Sequence, residues 1–214
     1  ILKGGAHLLV LINDVLDLAK VESGRMELSI EEVNLSEVSD QTLDLVEGMA
    51  KRKNVTISMQ DIKTTPILLM TDFTRIKQVL LNLISNAIKY NHEGGKVSIS
   101  CAPSGPEMLR ISVRDTGQGI AAERQAELFQ PFNRLGAERS EIEGTGIGLV
   151  VCKSLVELMG GIIGFESEKD EGSTFWFEVP FASVASVSGD VSESGLANKS
   201  GKARARSPEL QPET

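Results

Sequence analysis

Asn82-Leu-Ile-Ser-Asn-Ala-Ile-Lys-Tyr-Asn91 is the stretch whose reading decides the fold. It lies in a strongly helical run that begins near Thr74. Gln78, Asn82, Asn86 and Lys89/Tyr90 recur at steps of three and four and so share one helix face. Ile76, Leu80, Leu83, Ile84 and Ala87 fall on the opposite face, which is predicted to be the core side. Asparagine is a poor helix former because its side chain competes for backbone hydrogen bonds. An ordinary solvated face would carry Glu and Lys instead. Two carboxamides one turn apart, ending in Lys-Tyr, offer neutral oxygens to a cation, amide donors to phosphate, and a nearby ammonium. On this segment alone, a solvated polar face accounts for the pattern equally well.

Three further segments break that tie. Asp115-Thr-Gly-Gln-Gly-Ile120 follows an alternating run, Leu109 to Arg114, that reads as a strand. A carboxylate where a strand ends can accept a hydrogen bond from an exocyclic amine. Gly117 and Gly119 would let the backbone approach a flat ring; a simple Asp-Gly turn is the alternative. Gly144-Thr-Gly-Ile-Gly-Leu149 opens an apolar helix that is expected to run through Met159. Glycines there free backbone amides for an anion at a helix N-terminus, or make a flexible loop before a core helix. The spacing is wrong for a dinucleotide fingerprint, no strand directly precedes it, and no Walker A Lys-Ser pair is present. Gly172-Ser-Thr-Phe175 enters a last strand.

In content and order these four boxes resemble the nucleotide-binding boxes of sensor histidine kinases, members of the Bergerat-fold ATPases. The resemblance runs from Ile1 to about Phe181. It implies that the chain binds ATP and Mg2+. Asp115 would specify adenine, favouring ATP over GTP, with Gly117, Gly119 and Ile120 beside it. Asn86 would be the metal ligand, one side-chain oxygen being enough for an ion that keeps much of its water. Asn82, Lys89 and Tyr90 match positions that contact phosphate and nucleotide, as do Gly144, Thr145, Gly146, Gly148 and Leu149. Thr174 either touches phosphate or simply starts its strand. Phe129-Gln-Pro-Phe132, followed by Asn133-Arg-Leu-Gly-Ala-Glu-Arg-Ser140, resembles the phenylalanine box and a mobile lid. Phe129 and Phe132 would anchor that lid, with plain core packing as the alternative, and Arg134 would approach phosphate. In the related gyrase-type and chaperone ATPases a glutamate stands one turn before the metal asparagine and activates water. Asn82 stands there in this chain, and an amide is no general base, which favours phosphoryl transfer over hydrolysis.

Around these boxes the chain divides into three parts. From Ile1 to about Val21, Leu2, Leu9, Leu16 and Gly5, Ile12, Ala19 recur as seam positions of a heptad, widened by Leu8 and Val15. Residues 1–26 therefore read as a bundle helix and linker, resembling the second helix of the kinase dimerisation hairpin, though a helix folded back on its own domain fits too. Residues 27–181 alternate strands and helices without regular crossovers. This predicts an α+β, two-layer α/β sandwich, preceded by the one bundle helix. Its second helix should start near Ser36, a plausible N-cap, with Ser39 in the next turn. Residues 182–214 are rich in Ser, Gly, Ala and Pro, lack periodicity and read as a disordered tail or linker.

Composition agrees with one compact domain plus appendages. The chain has 214 residues, 41% of them hydrophobic, enough for a real core. A net charge of -8 with no strong basic patch argues against nucleic acid as a partner. Cys101 and Cys152 are expected to be buried and reduced, and neither sits at a metal-ligand spacing. No apolar run is long enough to span a membrane. The expected setting is cytoplasmic, in a parent that is free or membrane-anchored. The resemblance further implies a homodimeric parent and a response-regulator receiver domain as partner. Neither His7 nor His92 stands in the context of the family's phosphoacceptor, which is expected on a helix upstream. A degenerate nucleotide-sensing scaffold and an ATP-hydrolysing relative remain the alternatives.

Overall fold

The computed structural model describes residues 12–13, 15–59, 67–133 and 145–184, of which 182–184 as backbone only. A helix over 15–22 (α1) leads into β1 (Glu31–Asn34), α2 (Leu35–Arg52), β2 (Thr56–Met59), β3 (Ile67–Thr71) and α3 (Phe73–Lys89). Then come the hairpin of β4 (Lys96–Pro103) and β5 (Met108–Asp115), the short α4 (Ala122–Gln125), α5 (Gly148–Leu158), β6 (Ile162–Glu168) and the long β7 (Gly172–Val184). The strands form one mixed sheet in the order β1-β3-β7-β5-β4-β2, with β6 also against β7. Helices α2 and α5 each pack against α3, and the three lie on one face of the sheet, giving the expected two-layer α+β sandwich.

Helix α3 is the spine of the helical layer. Ile76, Leu80, Leu83, Ile84 and Ala87, the apolar face read from the sequence, are all buried, together with Val79 and Ile88. Asp72 starts the helix as its N-cap, Oδ1 accepting from the Arg75 N–H at 3.0 Å, while Oδ2 accepts from the Ser29 N–H at 2.9 Å. That carboxylate therefore ties the linker after α1 to α3; an N-cap of this kind stabilises by about 1 kcal/mol. Helix α2 begins two residues earlier than expected. Its N-cap is Asn34 rather than Ser36, because the Asn34 side chain is the one that accepts from the Ser36 N–H, at 2.9 Å. Ser39 is buried instead, with its hydroxyl among the buried groups lacking a partner.

Alternation in β5 and β7 sorts the two sheet faces. Leu109, Ile111, Val113 and Asp115 point to the helices, as do Ser173, Phe175, Phe177 and Val179 across the ladder. On the outer face Arg110 pairs with Glu178 and lies 3.9 Å from the ring centre of Trp176. Burial pushes the Glu178 carboxyl up, but hydrogen bonds from Ser104 and Arg110, with the Arg110 charge, hold it below the usual glutamate range. Both cysteines are free thiols; Cys152 is buried, whereas Cys101, in β4 opposite Ile111, is only half-buried.

Helix α1 rests on the sandwich by one side. Leu18 and Val21 pack against the core, and Asp17 reaches Arg75 and Gln78 of α3. The seam residues Ile12, Leu16 and Ala19, with Val15 beside them, stay exposed. Leu2, Gly5, Leu8 and Leu9, like His7, lie outside the described residues.

Candidate functional site

The polar face of α3 forms the floor of the site. Asn82 and Asn86 are half-buried one turn apart, and Asn86 Nδ2 donates to Asn82 Oδ1 at 3.0 Å. With its amide nitrogen committed to Asn82, Asn86 keeps its oxygen as the acceptor for a cation. Lys89 and Tyr90, at the helix end, are half-buried as well. The Lys89 carbonyl is capped by the ammonium of Lys53, whose pKa burial lowers.

Helix α5 meets this floor at its first residue. A Cβ on Gly148 would lie 2.2 Å from Nδ2 of Asn82, so the glycine box and the asparagine helix touch there. Among the described residues no side chain caps the α5 N-terminus, which leaves its first amides for an anion. The helix is shorter than expected at both ends. Gly146 has φ +71, a left-handed conformation incompatible with helix, so α5 begins at Gly148 and ends at Leu158. Thr145 Oγ1 accepts from the Ile147 N–H at 3.2 Å, shaping the turn before it, and Leu149 is half-buried in its first turn. Gly144 and Arg134 lie outside the described residues.

Asp115 ends β5 at the other side of the floor, buried on the helix-facing side of the sheet. Its Oδ1 accepts from the Gly117 N–H at 2.7 Å. Burial pushes the carboxyl above the ordinary aspartate range, against the Gly117 and Ser173 N–H groups, which favour its charge. Gly117 has no room for a side chain: a Cβ would sit 2.5 Å from the Tyr90 carbonyl and 2.8 Å from the carboxylate itself. The end of α3 and the Asp115 loop are therefore in direct contact. Gly119, at φ +62, packs equally closely on the Glu168 carbonyl, and the Ile120 N–H donates to Ser167 Oγ at 2.8 Å.

Two of the residues singled out in the sequence stand apart from this floor. Thr174 pairs with Arg114, on the opposite parity from Asp115, so it belongs to the outer face of the sheet. The residue beside Asp115 is Ser173, whose hydroxyl bonds Ser167 Oγ at 2.9 Å. Counting back by twos from the core residues Phe177 and Phe175 points to Ser173, a signal present in the sequence. Phe132 is 66% exposed with φ +63, joined to Gly146 through its backbone N–H at 3.0 Å, and the lid after it, from Arg134 on, lies outside the described residues. Phe129 does pack, with its ring centre 6.1 Å from that of Phe165.

Asn82, Asn86, Lys89, Tyr90, Asp115, Gly117 and Gly148 thus converge from three separate elements. A family model described as "Histidine kinase-, DNA gyrase B-, and HSP90-like ATPase" matches residues 71–183. The sensor histidine kinase GacS of Pseudomonas protegens is 38% identical over 181 residues, covering 83% of this chain but only 20% of its own length. The chain accordingly spans about a fifth of the curated relatives it matches. Among solved structures, full-length ShkA in complex with AMPPNP superposes with a TM-score of 0.71 at 34% identity, over 86% of this chain and 38% of that one. Histidine kinase ThkA in complex with the response regulator TrrA does so with a TM-score of 0.63 at 28% identity, over 84% and 49%. This chain belongs to the family of histidine kinase-, DNA gyrase B- and HSP90-like ATPases, on the sensor histidine kinase side of it.

Proposed function

We propose that this domain binds Mg2+·ATP and donates its γ-phosphoryl group to a histidine of a sensor kinase, from which it passes to a response-regulator aspartate. The observation that carries this reading is the convergence of three devices on one floor: a buried Asp115 beside glycines, a carboxamide pair on α3, and an uncapped helix start at Gly148. Adenine would lie against Gly117 with its amine on Asp115, and the phosphates would lie toward Asn82, Gly148 and Lys89. Asn86 suits Mg2+, which it would hold together with phosphate oxygens and water. The ion would neutralise the charge on the phosphates as the bond between the β,γ-bridging oxygen and phosphorus breaks and the new nitrogen–phosphorus bond forms.

Transfer is preferred to hydrolysis because position 82 carries an amide that cannot accept a proton from water. The acceptor histidine would be contributed by the helix that pairs with α1, since His92 sits in the loop after α3 in no acceptor context. Exposed Ile12, Val15 and Leu16 fit a helix that completes a bundle, in a dimeric parent. ShkA was crystallised with an ATP analogue and ThkA with a response regulator, which supports the same two partners here. ATP as the substrate implies a cytoplasmic setting; among the described residues no helix is long and apolar enough to cross a membrane.

Calorimetric titration with ATP, with and without Mg2+, tests the reading, followed by transfer of labelled phosphate to a histidine-bearing dimerisation hairpin supplied in trans. Asn86→Ala is expected to reduce ATP affinity in Mg2+ to the level seen without it. A folded protein that binds no ATP would sink the assignment in favour of a scaffold. Release of phosphate to water with no labelled hairpin would favour the hydrolase.

A further inference from the structure

Nothing in the four boxes explains how two ends of one nucleotide site, carried on different elements, are kept at a set separation. We infer that Asn91, the residue just past the end of α3, is a positioning residue that fixes the Asp115 loop relative to the Asn82/Asn86 face and so sets discrimination for the exocyclic amine of adenine. The inference rests on the proposed role of Asp115 as the group that reads that amine.

Asn91 is 6% exposed and uses both ends of its carboxamide. Nδ2 donates to the Lys96 carbonyl at 3.0 Å, while Oδ1 accepts from its neighbour His92 N–H at 3.0 Å and from Thr116 Oγ1 at 3.3 Å. Thr116 directly follows Asp115, and it in turn holds β4: its Oγ1 accepts from the Lys96 N–H at 3.0 Å and its N–H donates to the Lys96 carbonyl at 3.1 Å. One side chain therefore joins the end of the asparagine helix to the residue after the carboxylate.

Sterics close the same junction. The Cα of Asn91 is 3.0 Å from where a Cβ of Gly117 would lie, and the Gly117 N–H is the group that holds Asp115 Oδ1. A Cβ on Gly95 would meet Asn91 Oδ1 at 2.0 Å, so the turn is built around this carboxamide. A buried amide that donates once and accepts twice holds one geometry, because a shift breaks bonds that buried surroundings do not replace. Hydrogen-bond recognition of an amine by a carboxylate is steep in distance and angle. Loosening Asn91 should thus cost amine discrimination before it costs phosphate contacts, which come from Asn82 and Gly148.

The test compares ATP with purine riboside 5′-triphosphate, which lacks the exocyclic amine, by calorimetry with Mg2+. Asn91→Ala is expected to weaken ATP binding about tenfold and the analogue less than twofold, so that the preference for ATP collapses. Because Asn91→Ala removes a buried group, Thr116→Val is the deciding variant: Thr116 is exposed, and its loss should leave the fold intact yet lower the preference severalfold. Thr116→Ser, which keeps the hydroxyl, should retain it, and the double variant should fall no further than Asn91→Ala alone. Equal losses for both nucleotides, in step with thermal stability, would reduce Asn91 to a structural residue and overturn the inference. So would an unchanged preference in Thr116→Val and Asn91→Ala while Asp115→Asn abolishes it. If Asp115→Asn leaves the preference intact, the reading of Asp115 itself fails, and this inference with it.

Discussion

Gly148 and Asn82 are in contact across the junction of α5 and α3: a Cβ on the glycine would lie 2.2 Å from the Asn82 Nδ2. The first residue of one helix is therefore shaped by the carboxamide of another, and a methyl group there must push that carboxamide aside. Gly148→Ala is expected to lower ATP affinity about tenfold, or about 1.4 kcal/mol. The atom met is the end of a side chain, so thermal stability should change by only about 1 kcal/mol. In an Asn82→Ala background Gly148→Ala should have no further effect. Additive losses in calorimetry would show that the two positions act separately.

Gly119 tests backbone geometry instead. At φ +62, its missing Cβ would lie 1.8 Å from the Glu168 carbonyl oxygen, which is backbone and cannot swing away. Gly119→Ala should cost more than about 2 kcal/mol in urea unfolding. Gly94 also has positive φ, at +74, but has nothing within 4 Å of its Cβ position. Gly94→Ala should therefore show only the conformational strain, about 1 kcal/mol. Equal losses at the two positions would mean that the contact with Glu168 does not matter.

Asp115 predicts a pH dependence of nucleotide binding. Burial raises its folded-state pKa above the ordinary 3.8, so folding favours the protonated acid. Its contribution to stability is fully present below 3.8 and is lost as pH rises through the raised folded value. The ionised form is the stronger acceptor for an amine, so ATP affinity should fall as pH drops through that same raised pKa. Asp115→Asn should flatten the profile and bind ATP weakly, while melting at an equal or higher temperature at pH 7. An affinity that stays level on acidification in the parent protein would remove the carboxylate from nucleotide recognition.

Asp17 links α1 to α3. Its carboxylate accepts from Gln78 Nε2 at 2.8 Å and lies 3.4 Å from Arg75 Nη1, and both charged side chains are largely shielded from water. Removing it by Asp17→Ala should cost about 1 kcal/mol locally. Faster amide exchange confined to residues 15–22, with ATP affinity unchanged, is the expected outcome of hydrogen-exchange mass spectrometry. Unchanged exchange would mean that Leu18 and Val21 hold the helix without the polar contact.

The amino-acid sequence by itself determined the polar and apolar faces of α3, because a helix repeats every 3.6 residues and side chains four apart must share a side. It determined the strand character of β5 and the closing Asp115 for the same local reason, and the order of the four boxes identified the family. What it left open was decided by contacts between segments far apart in the chain. Ser173 rather than Thr174 stands beside Asp115 because the β5–β7 register sets which parity faces the helices. The cap of α2 is a local choice instead: Asn34 rather than Ser36, because the Asn34 side chain accepts from the amide two residues on. Asn91 looks like an ordinary loop residue until Lys96 and Thr116 are brought to it. Periodicity reports which way a side chain faces within its own element; what it touches depends on how elements pack, and that is set by the closing of the whole sheet around one core.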